Sequence, residues 1–499
     1  MTKISIDPIT RLEGHGRIDI FLDGAGDVAN AYFVVPELRG FEKFCEGRPV
    51  EEMPRLTNRI CGVCPTAHHM AAAKAADAVY HVTPPPAGRM IRELEYAAFC
   101  CADHATHIFV LAGPDFIVGP EAPAAERNIL GIIHKVGLEL GGRVLRHLKE
   151  AHEVVAILGG RYIHPVNCVP GGVSKAISAE EREQIEKLCA SMVEFGQLSI
   201  KLFDDIVLGN QEYVDMILSD AYTHHTYYMG LVDERNHVNF YDGQVRVVGP
   251  DGRQFAKYDP ADYLDHVAET VMPWSYLKFP YLKHVGWKGL VDGPESGVYR
   301  ATPLARLNVS DGMATPLAQE QYQRFYETLG GKPVHSTLAT HWARLIEMVY
   351  VAERALELIR DPEIVDPRVR TIPTETPTEG VGVVEAPRGT LTHHYVTDEK
   401  GLLKKVNLIV GTTNNNAAMA MSVKKAAQSL IKGGQVVTEG LLNKVEMAFR
   451  AYDPCLGCAT HTLPGQMPLV VTIRDAQGEV VREISRPSQG CAIRQGRSS

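Results

Sequence analysis

Two CxxC motifs stand almost a whole chain apart, Cys61-Gly62-Val63-Cys64 near the start and Cys455-Leu456-Gly457-Cys458 near the end of 499 residues. Each places two sulfurs within a few ångströms of one another. Together they offer four thiolates, a donor set for a soft or borderline metal: zinc, iron–sulfur or nickel. A structural zinc scaffold is the default reading of paired CxxC motifs. Such modules, however, keep their pairs about 15–20 residues apart, because the metal organises a small local fold. Here the fold must bring the two ends together, so the fold holds the site and the site does not hold the fold. That favours catalysis. His68 and His461 follow the pairs at short range in small, apolar surroundings. Spacing leaves open whether they are ligands, donors to sulfur or core residues.

The other cysteines, among ten in all, are too sparse for a disulfide framework. Cys45, Cys100, Cys101, Cys168, Cys189 and Cys491 read as small buried hydrophobes, and the usage points to a reducing, cytoplasmic compartment. The formal charge of −9 is spread along the chain and lacks the basic stripe of a nucleic-acid binder. No stretch approaches the roughly 20 apolar residues of a membrane helix, and Met1 to Asp7 lacks a signal-peptide layout.

Periodicity predicts a mainly α chain with smaller β hairpins and sheets, an α+β class. A hairpin is expected from Arg17–Leu22 and Asp27–Val35 around the turn Asp23-Gly24-Ala25-Gly26. Ser178 and Glu181 form a capping-box signature ahead of an amphipathic helix running to about Gly209. Further helices are expected at Thr340–Ile359, stopped by Asp361-Pro362, and at Ala417–Lys432 and Thr438–Tyr452. Val232 to Asn308 reads as a strand-containing excursion, Asp361 to Gly380 as an irregular crossing, and Leu469 to Ile484 as a hairpin turning at Asp475–Gly478.

Five stretches in order carry a resemblance: Arg11-Leu12-Glu13-Gly14-His15, Arg39-Gly40-Phe41-Glu42, Arg59-Ile60-Cys61-Gly62-Val63-Cys64, Ala386-Pro387-Arg388-Gly389 and Asp453-Pro454-Cys455-Leu456-Gly457-Cys458-Ala459-Thr460-His461. The chain resembles the large subunits of [NiFe] hydrogenases from end to end. The resemblance implies the large-subunit fold with a central helical bundle, and reversible heterolytic cleavage of dihydrogen. It implies that Cys61, Cys64, Cys455 and Cys458 bind nickel. Cys64 and Cys458 would bridge to an iron carrying carbonyl and cyanide ligands. Cys455 would take a proton and Glu13 receive it, although a surface ion pair with Arg11 or Arg17 is the bland alternative for Glu13. Glu42, the Leu408 carbonyl and His461 would bind magnesium, the histidine being the least typical ligand for a hard cation. Arg388 and Thr412 would donate to the two cyanides, and His68 to a bridging sulfur. Where the family usually has proline before Thr412, this chain has Gly411, which suggests a looser backbone. Asp115 is expected either to line the canopy of the site or merely to cap a loop after Pro114.

The remaining cysteines show no iron–sulfur spacing, so the electrons would leave through an iron–sulfur small subunit. Arg39 to Pro49 and the tail motif Gly465-Gln466-Met467-Pro468-Leu469 resemble the cytoplasmic multimeric branch linked to NAD(P) or to a heterodisulfide reductase. The nicotinamide would bind further subunits, since no strand-embedded GxGxxG occurs here. Residues 1–461 would form the catalytic unit, and Thr462 to Ser499 an extension removed by a maturation endopeptidase. Complex I-type quinone-site subunits resemble this family but lack the cysteine pairs, which counts against that reading.

Overall fold

The computed structural model describes residues 2–460 and three backbone strands beyond them, Leu469–Arg474, Val480–Arg486 and Ala492–Gln495. His461, Cys491 and the expected turn at 475–478 lie outside the described residues. The first two tail strands pair antiparallel, as the hairpin pattern predicts.

Four helical segments close a central bundle: Pro86–Thr106, Ile129–Gly159 (broken at Gly137, where φ is 86°), Ala179–Phe203 and Thr340–Arg360, each packed on two of the others. Their starts follow local chemistry. The Asn128 side chain accepts from the backbone N–H groups of Leu130 and Gly131. Ser178 Oγ accepts from Glu181 N at 3.2 Å, while the Glu181 carboxylate accepts from Ser178 N at 3.0 Å. That helix passes into a short π segment, Asp204–Leu208, and stops at Gly209. Thr340–Arg360 ends where Asp361 turns extended ahead of Pro362. It is buried almost all round, so its Arg344 and Glu347 must find partners inside the protein.

The alanine-rich helix Pro65–Val79 lies on an antiparallel sheet of Glu379–Ala386, Gly389–Thr397 and Leu403–Ile409. A Cβ added to Gly382 would sit 2.2 Å from the Ala71 carbonyl oxygen, and one on Gly380 2.4 Å from Val79 N. Glycine facing alanine is what lets the two backbones meet. Sequence patterning does not reveal this sheet. Its first two strands are buried on both faces over most of their length, so polar and apolar residues do not alternate.

At the N-terminus Arg17–Leu22 and Val28–Val34 form the expected hairpin, and Thr2–Ile6 adds a third antiparallel strand. The excursion supplies Gln244–Val248, Gln254–Tyr258 and Tyr299–Arg300 to a four-stranded sheet whose remaining strand, Tyr227–Val232, precedes the expected start at Val232. It also holds the ribbon Val267–Val271 with Lys278–Leu282. Helices Asn416–Leu430 and Glu439–Arg450 pack together and deliver the chain to the second cysteine pair. Among the described residues, no helix is long and apolar enough to cross a membrane.

Candidate metal centre

The first pair is shaped locally. Cys64 caps helix Pro65–Val79, and the backbone N–H groups of Val63 and Cys64 donate to Cys61 Sγ at 3.2 and 3.3 Å. The second pair is placed by distant parts of the chain. Leu456 N donates to the Glu13 carbonyl at 2.8 Å, and Arg39 N to the Thr460 carbonyl at 2.7 Å. The Arg39 guanidinium spans both pairs, donating to the carbonyl of Ile60 and, at 3.0 Å, to that of Gly457.

The ends meet. The sulfurs of Cys61, Cys64, Cys455 and Cys458 all lie within 4.8 Å of one another. Cys61 approaches Cys455 at 3.3 Å and Cys64 approaches Cys458 at 3.2 Å, too far for a disulfide bond. All four side chains are buried, and burial pushes the thiols of Cys455 and Cys458 well above their ordinary range. Four converging sulfurs in a dry interior gain their hydrogen-bonding and charge balance from a cation, so the donor set fits a soft divalent metal. The other cysteines in the described chain, Cys45, Cys100, Cys101, Cys168 and Cys189, are buried and free, as expected.

Glu13 stands over the sulfurs. Cys455 Sγ donates to its Oε2 at 3.0 Å, and Gly457 N to the same oxygen at 2.8 Å. Burial, and then the nearby Cys61 charge, raise its pKa. The bland ion-pair reading does not hold: Arg11 bonds Asp115 at 2.6 Å and Arg17 bonds Asp19 at 3.1 Å. Thr412 Oγ1 accepts from Cys455 N at 3.1 Å. The backbone before it is tight, not loose, because a Cβ on Gly411 would meet the Gly389 carbonyl oxygen at 2.9 Å. His68 Nε2 lies 3.4 Å from Cys458 Sγ.

Arg388 is buried, donating to Asp103 at 3.0 Å and paired with Asp453 at 3.1 Å. Asp115 is elsewhere. Its carboxylate is gripped by Arg11 at 2.6 Å and Arg450 at 2.5 Å and accepts from Asn443 at 3.1 Å, bracing the N-terminal loop against helix Glu439–Arg450. The carboxylates that hold the arginine are therefore Asp103 and Asp453. The sequence signal for Asp103 was a lone acid within the apolar helical run Ala97 to Ala105.

Glu42 is also buried; its Oε1 accepts from Leu408 N at 2.8 Å and its Oε2 is 3.8 Å from Lys278 Nζ. The structure thus joins Glu42 and Leu408, while His461 lies outside the described residues.

The profile of the nickel-dependent hydrogenase family matches residues 39–129 and 125–461, and a HoxL-like profile matches residues 3–38. The chain belongs to the nickel-dependent hydrogenase family. It is 47% identical to an F420-non-reducing hydrogenase iron-sulfur subunit of Archaeoglobus profundus, covering 97% of this chain and 99% of the relative. It is 41% identical to the NAD-reducing hydrogenase HoxS subunit beta of Cupriavidus necator, covering 97% and 99%. Among solved structures, an NAD+-reducing [NiFe]-hydrogenase in its H2-reduced state superposes with a TM-score of 0.86 at 38% identity, over 92% of this chain and all of that one. The multimeric-branch resemblance of Arg39 to Pro49 agrees with these relatives. The zinc-scaffold and quinone-site readings fall.

In this hydrogenase large subunit the sulfur site sits on a continuous buried polar network. Asp453 has a left-handed φ of 53°; it accepts from Arg344 at 3.4 Å and lies 3.1 Å from Arg388 and 3.0 Å from the His107 ring. Arg344 also donates to the Pro387 carbonyl at 3.1 Å. Arg306 then links Glu347, at 2.6 and 2.7 Å, to Glu385 at 2.9 Å. Arg388 and its companions hold Asp453 far below the usual carboxylate range against the cost of burial, whereas burial lifts Asp103 to about 6. None of these partners is visible from spacing.

Proposed function

We propose that this subunit splits dihydrogen heterolytically and reversibly, at a nickel–iron centre that Cys61, Cys64, Cys455 and Cys458 would hold, Cys64 and Cys458 also serving as ligands to the iron. When bound, that centre supplies a soft, open coordination position at which the H–H bond is polarised. The observation that carries the reading is Glu13 Oε2 at 3.0 Å from Cys455 Sγ, inside a set of four converging sulfurs.

Cys455 Sγ takes the proton, and Glu13 Oε2 accepts it from there. Burial raises the affinity of Glu13 for a proton, which suits a relay that must both load and release. Gly457 N–H keeps the receiving oxygen aimed at the sulfur. Arg388, anchored by Asp103 and Asp453, presents a fixed fork that would donate to a cyanide on the iron. Thr412, tied to Cys455 N, would donate its hydroxyl proton to the second cyanide, and His68 would donate to Cys458.

Glu42, the Leu408 carbonyl and His461 would hold magnesium. The N–H and C=O of one strand residue point to the same side, so the Leu408 N–H contact with Glu42 supports the carbonyl assignment. Electrons would leave to a small, iron–sulfur-bearing partner chain and pass through further subunits to NAD(P) or another soluble acceptor. The Cupriavidus relative is an NAD-reducing hydrogenase subunit. Residues 462–499 would be cut away by a maturation endopeptidase, and the complex would work in the cytoplasm.

Infrared spectroscopy of the mature complex tests the centre. Carbonyl and cyanide bands, with nickel and iron by metal analysis, are expected; zinc alone without those bands overturns the reading.

A further inference from the structure

His68 meets Cys458 through one ring nitrogen, and what decides its donor sense lies beyond it. His68 Nδ1 is 3.1 Å from His393 Nε2, and His393 Nδ1 is 2.5 Å from the Tyr395 hydroxyl. With the 3.4 Å contact from His68 Nε2 to Cys458 Sγ, these make one unbroken line of hydrogen bonds ending at sulfur. All three side chains are 0% exposed.

The line crosses two elements. His68 comes from helix Pro65–Val79, whereas His393 and Tyr395 stand two residues apart on strand Gly389–Thr397 and so share a face. His393 pairs across the sheet with Gly382, one of the glycines on which the helix backbone rests. Close packing therefore sets the distance between the two imidazoles.

A neutral imidazole has one donor and one acceptor, and a metal-bound Cys458 only accepts. His68 Nε2 must then donate, which leaves Nδ1 to accept from His393 Nε2. His393 Nδ1 must in turn accept, and the Tyr395 O–H donates to it. Each link dictates the next. We propose that His393 and Tyr395 are positioning residues that lock His68 in its Nε2–H form and so fix the hydrogen bond received by the Cys458 sulfur. This rests on reading the four sulfurs as the nickel–iron site. Burial raises the Tyr395 pKa well above its ordinary value, so the phenol keeps the proton the line requires. A hydrogen bond into a bridging sulfur withdraws electron density from it, so the line tunes the site and does more than pack beside it.

The test uses the assembled, metal-loaded complex carrying Tyr395→Phe, which removes one hydroxyl and keeps the ring. Nickel content should match wild type. The midpoint potential of the centre and the infrared bands of its diatomic ligands should both shift, and hydrogen oxidation should fall about 10-fold, the lower end for such partners. His393→Leu should move the same signals further. Tyr213→Phe, which loses a comparable bond to the Phe116 carbonyl at 2.9 Å, should move none of them. Unshifted potential and bands in Tyr395→Phe overturn the proposal. A wild-type complex without nickel overturns instead the reading beneath it, so the two failures are told apart.

Discussion

The two cysteine pairs offer the same ligands from opposite kinds of support. Cys64 heads a helix of 15 residues locked onto a sheet, and Cys61 is wrapped by its own loop, whose Val63 remains 39% exposed. Cys458 belongs to a helix of 4 residues that is wholly buried and held by Glu13, Thr412 and Arg39. A single turn has no stability of its own. The first half-site is thus formed by its local sequence, while the second exists only where the rest of the molecule receives it. A metal set assembled this way closes when the C-terminal segment docks.

The largest effect separates ligation from folding. Cys458→Ala should abolish hydrogen oxidation and nickel retention, while the melting temperature of the metal-free protein shifts little, since bundle and sheet do not depend on the ion. A metal-free variant that melts far below metal-free wild type would mean that Cys458 is a structural residue first.

Next comes the acid that only the second pair touches. Glu13→Gln keeps an oxygen for Gly457 N–H but cannot relay a proton from Cys455. Turnover should fall about 100-fold or more, in the range of lost acid–base catalysis, with nickel content unchanged. Hydrogen–deuterium exchange at the wild-type rate would remove Glu13 from the mechanism.

Each motif also carries one glycine, and these give the sharpest contrast. A Cβ on Gly62 meets nothing within 4 Å, whereas one on Gly457 lies 2.6 Å from Glu13 Oε1 and 3.0 Å from Oε2. Gly457→Ala should displace the carboxylate and lower turnover about 10-fold or more, as a misplacement near 1 Å can cost up to 100-fold. Gly62→Ala should behave as wild type. Equal losses from both would show that the two loops are under the same constraint.

What the sequence exposes follows the same division. Features written within a few residues could be read directly: the pairs themselves, the Ser178–Glu181 cap and the hairpin at Arg17–Leu22. Glu13, Arg388 and Glu42 were legible through motif order. Asp103 stood out as a lone acid, but its pairing with Arg388, 285 positions on, did not. His393 was not legible, because its partner His68 is 325 positions away and arrives only when helix Pro65–Val79 meets its sheet; Tyr395 joins only through His393. That sheet was hidden because burial on both faces erases the period of two. Asp115 shows the converse risk: an acid that the resemblance offered for the canopy of the site and that the fold pairs with Arg11 and Arg450.

The smallest effect tests whether the first-pair helix carries a pH dependence of its own, apart from the metal. Glu95 Oε2 accepts from Asn167 Nδ2 at 2.6 Å, and Asn167 Oδ1 lies 3.1 Å from His69 Nε2 on that helix. Glu95 is 0% exposed with no ion-pair partner among the described residues, and burial pushes its pKa up to about 8. The folded chain therefore binds this proton more tightly than the unfolded one. Its stabilising contribution is complete below the ordinary pKa of about 4.5 and is lost as the pH rises through about 8. Across that window the loss approaches about 1.4 kcal/mol per pH unit as an upper bound. Glu95→Gln stays neutral throughout, so its melting temperature should rise relative to wild type from pH 5 to pH 8 and then level off. A difference that is constant with pH would show that Glu95 is ionised in the fold and that the helix of the first pair has no such dependence.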